Sequence, residues 1–288
     1  MGLQRNRTNH GTGGFSLVEL LVVVAIIVVL LALLLPGVRS MKGKAVTTSC
    51  RAQLSQWGVF WSTYLSDHDG SYSDGVRVEN GRVVGWRRGE WASVLRPYYM
   101  SAVETLRCPK AVDPTIINGK LKFYGGVNTT YNHGGVGGVA TADRSSYGIN
   151  CWVYNPPPPV VSIQRRESVK HWRRPSGAKK PSRVPLMLDS MWRGGGPDYD
   201  ARYAIRTPNY NGQWLSYDKE MMHFALDRHE GGVNAVMMDG SARHVPIKTL
   251  WTFRWHNRYR PRTGLAQVQG TWPAWMADYP EPDPPRKF

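Results

Sequence analysis

Residues 13–35 read GGFSLVELLVVVAIIVVLLALLL, and this stretch decides how the rest of the chain is understood. From Phe15 to Leu35 every residue is apolar except Ser16 and Glu19. As a helix, the 21 residues of that run are long enough to cross a hydrocarbon core roughly 30 Å thick. A secretory signal has a shorter apolar region, about 7–15 residues, usually followed by a small-residue cleavage site. Here the run is too long and leads into Pro36-Gly37-Val38-Arg39-Ser40-Met41-Lys42-Gly43-Lys44. The stretch therefore reads as a retained membrane helix. A carboxyl inside it needs a reason, because a charge costs about 2.5–3.5 kcal/mol at the centre of a span. Near the end of the span, Glu19 can also reach the interface by snorkelling. The lead-in, MGLQRNRTNHGTGG, holds Arg5 and Arg7 and no acid.

Gly13-Gly14-Phe15-Ser16-Leu17-Val18-Glu19-Leu20-Leu21 resembles the prepilin-type cleavage and methylation motif of type IV pilins and type II secretion pseudopilins. The resemblance implies cleavage after Gly14 by a membrane-embedded prepilin peptidase and N-methylation of Phe15. It marks Glu19 as the assembly residue and places Pro36 where the family often has a helix-kinking proline. Physically, cleavage leaves a cationic amine on Phe15, and Glu19 can pair with the amine of a neighbouring subunit. In a low-dielectric medium such a pair offsets the cost of each charge, which selects one axial register between packed helices. The implied partners are the peptidase/methyltransferase, other pilin-like subunits and an inner-membrane assembly platform. The implied location is the inner membrane, with the leader cytoplasmic and the head on the far side. Counting Arg5 and Arg7 against Arg39, Lys42 and Lys44 favours the opposite orientation; the cleavage motif is the stronger signal.

Beyond the membrane run, Val46, Cys50, Leu54, Trp57, Trp61 and Tyr64, with Leu65, recur at spacings of three and four. This is the stripe of an amphipathic helix. It is expected to follow a kink or melted region around Pro36, Gly37 and Gly43, and to end at Ser66-Asp67-His68-Asp69-Gly70. From about residue 70, Gly, Pro and aromatic residues favour short strands and ordered loops. Val76–Val84 is a hairpin candidate with Asn80-Gly81 at its turn, and Val233–Val245 is a second with Asp239-Gly240. Gly134–Gly138 and Pro156–Pro159 read as loops. The expected fold class is α+β: a leader at 1–14, a transmembrane helix at 15–35, an amphipathic helix at 36–66 and a β-rich head at 67–288.

His229 and Asp239-Gly240, with nine residues between His and Asp, resemble the His-x9-Asp-Gly motif of a planctomycete-type group of pilin-like proteins. Cys50–Trp57, Tyr147–Asn150, Trp251–Trp255 and Trp272–Met276 are similar to that group as well. If residues 233–238 form a strand of roughly 20 Å, His229 and Asp239 lie at its two ends and cannot share a metal. Their expected role is structural: the Asp-Gly pair makes a two-residue turn with positive φ at both positions, and His229 anchors the start of the strand. On that reading a β-branched residue at Gly240 damages folding more than His229→Gln.

Other chemistry is sparser. Asp189, Asp198 and Asp200 are candidate calcium ligands on loop-like segments, without EF-hand spacing. His223, Asp227 and His229 are close in sequence but lack a fourth spaced ligand. The three cysteines, Cys50, Cys108 and Cys151, form no Cys-x-x-Cys pair, which argues against zinc or redox chemistry. They allow one disulfide, with Cys50 tied to Cys108 or Cys151. Catalytic residues are not expected: Gly-x-Ser-x-Gly and His-Glu-x-x-His are both absent from the sequence. Lys plus Arg is 37 against 21 acids, a net charge of +16. A cluster runs from Arg165 to Arg183, and with 12 Trp and 14 Tyr this supports an alternative reading. On it the head captures nucleic acid or an acidic polysaccharide from its place on a filament.

Overall fold

The computed structural model describes residues 16–80, 82–86, 90–100, 102–133, 144–198, 217–259, 261, 272 and 274–282. The chain divides into two units, Met1–Ala45 and Val46–Phe288. The first contains the apolar run: Leu17–Leu35 is helical and none of it is buried. Helix α1 spans Leu17–Asp67. Its backbone is helical through Pro36, Gly37 and Gly43, so the melted region expected there is absent. A proline removes one backbone hydrogen bond from a helix, and here the turns on both sides carry on without it.

In the second unit, the stripe read from the sequence is the buried face of α1. Cys50, Leu54, Trp57 and Trp61 are fully buried and Tyr64 nearly so, with Val46 and Leu65 half-buried. Trp57 donates its indole N–H to the Thr105 carbonyl at 2.8 Å. The helix ends where Asp69 and Gly70 take positive φ and the Gly70 N–H returns to the Leu65 carbonyl at 2.7 Å. A left-handed glycine after the last turn is a common way for a helix to stop.

The first hairpin pairs β1 (Val76–Glu79) with β2 (Arg82–Trp86), Glu79 opposite Arg82, and Asn80 has φ +50 as a tight turn requires. The heart of the head is a five-stranded sheet. Its strands are β3 (Tyr147–Asn150), β4 (Pro185–Asp189), β5 (Gly194–Gly195), β6 (Gly232–Met237) and β7 (Ala242–Pro246), in the spatial order β5-β3-β4-β6-β7. β5 runs parallel to β3 and the remaining neighbours are antiparallel. β3, β4 and β6 are buried along their whole length, as expected for strands covered on both faces. Helix α1 lies close on this sheet: a Cβ at Gly58 would sit 2.9 Å from Cγ2 of Val236. The α+β class expected from the sequence is the one observed.

The β6–β7 connection differs in detail from the expectation. Only Gly240, at φ +83, has positive φ; Asp239 does not. The Met237 carbonyl accepts the Gly240 N–H, and the Met237 N–H donates to the Ser241 carbonyl, both at 2.9 Å. This is a three-residue loop, a turn followed by a left-handed glycine, in place of a two-residue turn. The Gly134–Gly138 loop lies outside the described residues.

Candidate functional site

At the start of α1 the sequence Ser16-Leu17-Val18-Glu19 folds into a reciprocal cap. The Ser16 N–H donates to Glu19 Oε2 at 2.8 Å and the Glu19 N–H donates to Ser16 Oγ at 3.2 Å. Two donors that a helix N-terminus leaves without partners are satisfied this way. Glu19 thus has work within its own chain. Gly14 and Phe15 lie outside the described residues.

The head holds a second constellation, wholly within the second unit. Asp189 is the last residue of β4, His229 lies in the turn before β6, Cys108 follows a helical turn at Val103–Leu106, and Cys50 comes from α1. All four are buried, and their ligand atoms lie within 4.8 Å of one another. His229 Nε2 is 3.2 Å from Asp189 Oδ2 and 3.4 Å from Cys108 Sγ. Cys50 Sγ is 3.5 Å from Asp189 Oδ1 and 3.6 Å from Oδ2. An outer layer orients these groups. His229 Nδ1 meets Thr47 Oγ1 at 3.1 Å, the Asn234 N–H donates to Asp189 Oδ2 at 2.7 Å, and the Tyr147 hydroxyl is 3.2 Å from Cys50 Sγ.

Arg228 closes the cluster. Its guanidinium donates to Asp189 Oδ1 at 2.8 Å and to the carbonyls of Gly126, Val127, Ser146 and Ser190 at 2.5–3.2 Å. One side chain thereby fixes three loops and a strand end, satisfying backbone oxygens that burial would otherwise leave unpaired. Burial alone would raise the Asp189 carboxyl, but the His229 and Arg228 charges hold it well below the usual carboxylate range. Burial opposes a charge on His229 too, yet Asp189 raises it to about 9. Cys108 resists ionisation through burial, but hydrogen bonds from Cys50 and His229 and the nearby Arg228 charge draw it down. Cys50 is pushed up, by burial first.

The residues singled out in the sequence scatter otherwise. Asp239 is at the exposed β6–β7 tip, accepting the Ser241 N–H at 3.0 Å and its hydroxyl at 2.6 Å, while His229 is buried beside Asp189. Gly240 serves that turn. Asp189 and Asp198 have separate partners: Asp198 meets His256 at 3.0 Å and Lys170 at 3.6 Å, and Asp200 lies outside the described residues. His223 engages the Gly194 carbonyl at 2.8 Å, and Asp227 accepts the Gly231 N–H and the Tyr279 hydroxyl. The three cysteines carry no disulfide; Cys151 is buried near the Ile149 carbonyl. In the basic stretch, Arg165, Arg174, Lys179 and Lys180 are exposed, whereas Arg166 is buried in an ion pair with Glu220. Among the described residues, six tryptophans, Trp57, Trp152 and Trp255 among them, are fully buried, so much of the aromatic supply sits in the core.

Spacing gave no sign of the four-residue cluster, because its members stand at positions 50, 108, 189 and 229. The available signal was indirect: a cysteine on the buried stripe of α1 and an aspartate closing the apolar Val184–Leu188 run, both pointing inward.

Residues 9–35 match the family model of the prokaryotic N-terminal methylation motif. The match spans the leader end, the Gly14-Phe15 junction, the Ser16–Glu19 cap and the apolar helix. These features define a chain with a prepilin-type N-terminal methylation motif and an apolar helix long enough to cross a membrane, followed by a β-rich head. Searches of curated proteins and of solved structures return no match, and the family match ends before the head begins.

Proposed function

We propose that this chain is a structural, non-enzymatic subunit of a type IV pilus-like or type II secretion pseudopilus filament. The carrying observation is the methylation motif at residues 9–35 coinciding with a 19-residue apolar helix. On this reading prepilin peptidase cuts after Gly14 and Phe15 is N-methylated. Subunits then bundle through their N-terminal helices on an inner-membrane platform, with the leader cytoplasmic and the head outside. Glu19 exchanges its own helix cap for the Phe15 amine of a neighbour. Removing the leader takes Arg5 and Arg7 and lowers the net charge from +16 to +14.

Intact-mass and N-terminal analysis of the membrane-fraction protein, expressed in a host with a prepilin peptidase, tests this. The expected chain starts at methylated Phe15. A chain retaining Met1, or one starting beyond residue 36, overturns it.

A further inference from the structure

We propose that Cys50, Cys108, Asp189 and His229 form a structural zinc site inside the head. The inference is independent of the filament reading, since it concerns only the second unit.

The first ground is geometry. Ligand atoms about 2.0–2.3 Å from a tetrahedral ion stand about 3.3–3.8 Å from one another. The separations here are 3.2 Å between His229 and Asp189, 3.4 Å between His229 and Cys108, and 3.5–3.6 Å between Cys50 and Asp189. A hydrogen-bonded chain needs only each atom near the next. In this cluster all four atoms are mutually within 4.8 Å, close enough for small shifts to bring each to one shared ion.

The second ground is chemistry. Two thiolates, an imidazole nitrogen and a carboxylate oxygen are the donor types that zinc takes in closed four-coordinate sites. Coordination displaces the protons that the thiols and the imidazole carry. With both cysteines and Asp189 anionic, three negative charges face a divalent cation and the Arg228 guanidinium, and the buried site is neutral.

The third ground is the surrounding layer. Metal-bound histidines usually donate their other ring N–H to an oxygen, which fixes the tautomer. Thr47 Oγ1 stands 3.1 Å from His229 Nδ1 and fills that role. Both oxygens of Asp189 are held, one by Arg228 and the other by the Asn234 N–H, so the carboxylate has one orientation. The ion would tie α1 to the end of β4, the start of β6 and the loop at Cys108, a cross-link among segments far apart in sequence.

The experiment uses the full chain in detergent, without a polyhistidine tag. Zinc is measured by plasma mass spectrometry in protein as purified, and cobalt(II) is titrated into chelator-treated protein. The expected result is one ion per chain, and a cobalt spectrum with intense visible bands of four-coordination and near-ultraviolet thiolate charge transfer. Cys151→Ser should keep that spectrum, and Cys108→Ser, which leaves Cys50 as its one thiolate ligand, should show weaker charge transfer than wild type. If Cys108→Ser does not fold, the spectra of wild type and Cys151→Ser decide. Cobalt binding without thiolate charge transfer, or no stoichiometric binding by reduced protein, overturns the proposal in favour of a metal-free hydrogen-bonded cluster. So does a Cys50–Cys108 disulfide found by peptide mapping of protein as isolated.

Discussion

Arg228 and Asp189 form an ion pair in which neither side chain has any exposed surface, Nη1 standing 2.8 Å from Oδ1. Such a pair is a modest source of net stability while intact, but stripping one partner strands a charge in the interior. Asp189→Asn and Arg228→Met should therefore each cost about 3–5 kcal/mol of head stability. Arg228→Lys should recover little, since an ammonium cannot reach the four carbonyls that the guanidinium fork bridges. Denaturant unfolding of the full chain reads these losses; a penalty below about 1 kcal/mol for Asp189→Asn would contradict the account.

His229 and Gly240 now rank differently from the expectation drawn from sequence. Gly240 has φ +83 with nothing within 4 Å of a built Cβ, so Gly240→Val carries backbone strain alone, about 1–3 kcal/mol. His229→Gln removes a group that faces a buried carboxylate at 3.2 Å and a thiol at 3.4 Å. It should cost more than Gly240→Val. Thermal unfolding of the two variants side by side checks the order.

His133 predicts an acid limb. Burial, reinforced by the Arg193 charge, lowers it from 6.5 to about 3. The folded state resists a proton that the unfolded state accepts, so the contribution is complete above about pH 6.5 and declines as pH falls toward 3. At pH 4.5 the wild type should have lost roughly 2–3 kcal/mol more than His133→Gln relative to pH 7. Equal acid slopes for the two proteins would remove His133 from the explanation.

The Ser16–Glu19 cap separates two roles of one carboxylate. Glu19→Gln keeps a side chain able to cap but no charge; Ser16→Ala keeps the charge and loses a cap worth about 0.5–2 kcal/mol. If pairing with a neighbour's amine drives assembly, Glu19→Gln and Glu19→Ala should insert normally and fail to assemble, whereas Ser16→Ala should assemble. Filament yield scored against membrane-fraction abundance distinguishes them. Normal assembly of Glu19→Ala sinks the pairing role.

What the sequence made legible was what local periodicity controls. The apolar run, the α1 stripe and both hairpins follow from spacings of three and four, from alternation and from Asn80 and Gly240 at turns. The continuity of α1 through Pro36 was not legible, because a proline lowers the odds of helix without deciding them. Nor was the seat of Asp189 beside Tyr147, which depends on β3 and β4 pairing across some forty residues. The Cys50–Cys108–Asp189–His229 cluster depends on several such long-range pairings at once, and no spacing rule encodes their product.

The order of the central sheet also bears on crowding. β7 is its last strand on one side, and an unpaired strand invites the backbone of a neighbouring molecule to dock on it. This strand is five residues long, carries Arg243 and His244 in its middle and ends at Pro246, which has no N–H to offer. Short, charged and proline-terminated margins discourage strand exchange between molecules. Heads brought to high local concentration thus jostle side by side without fusing their sheets.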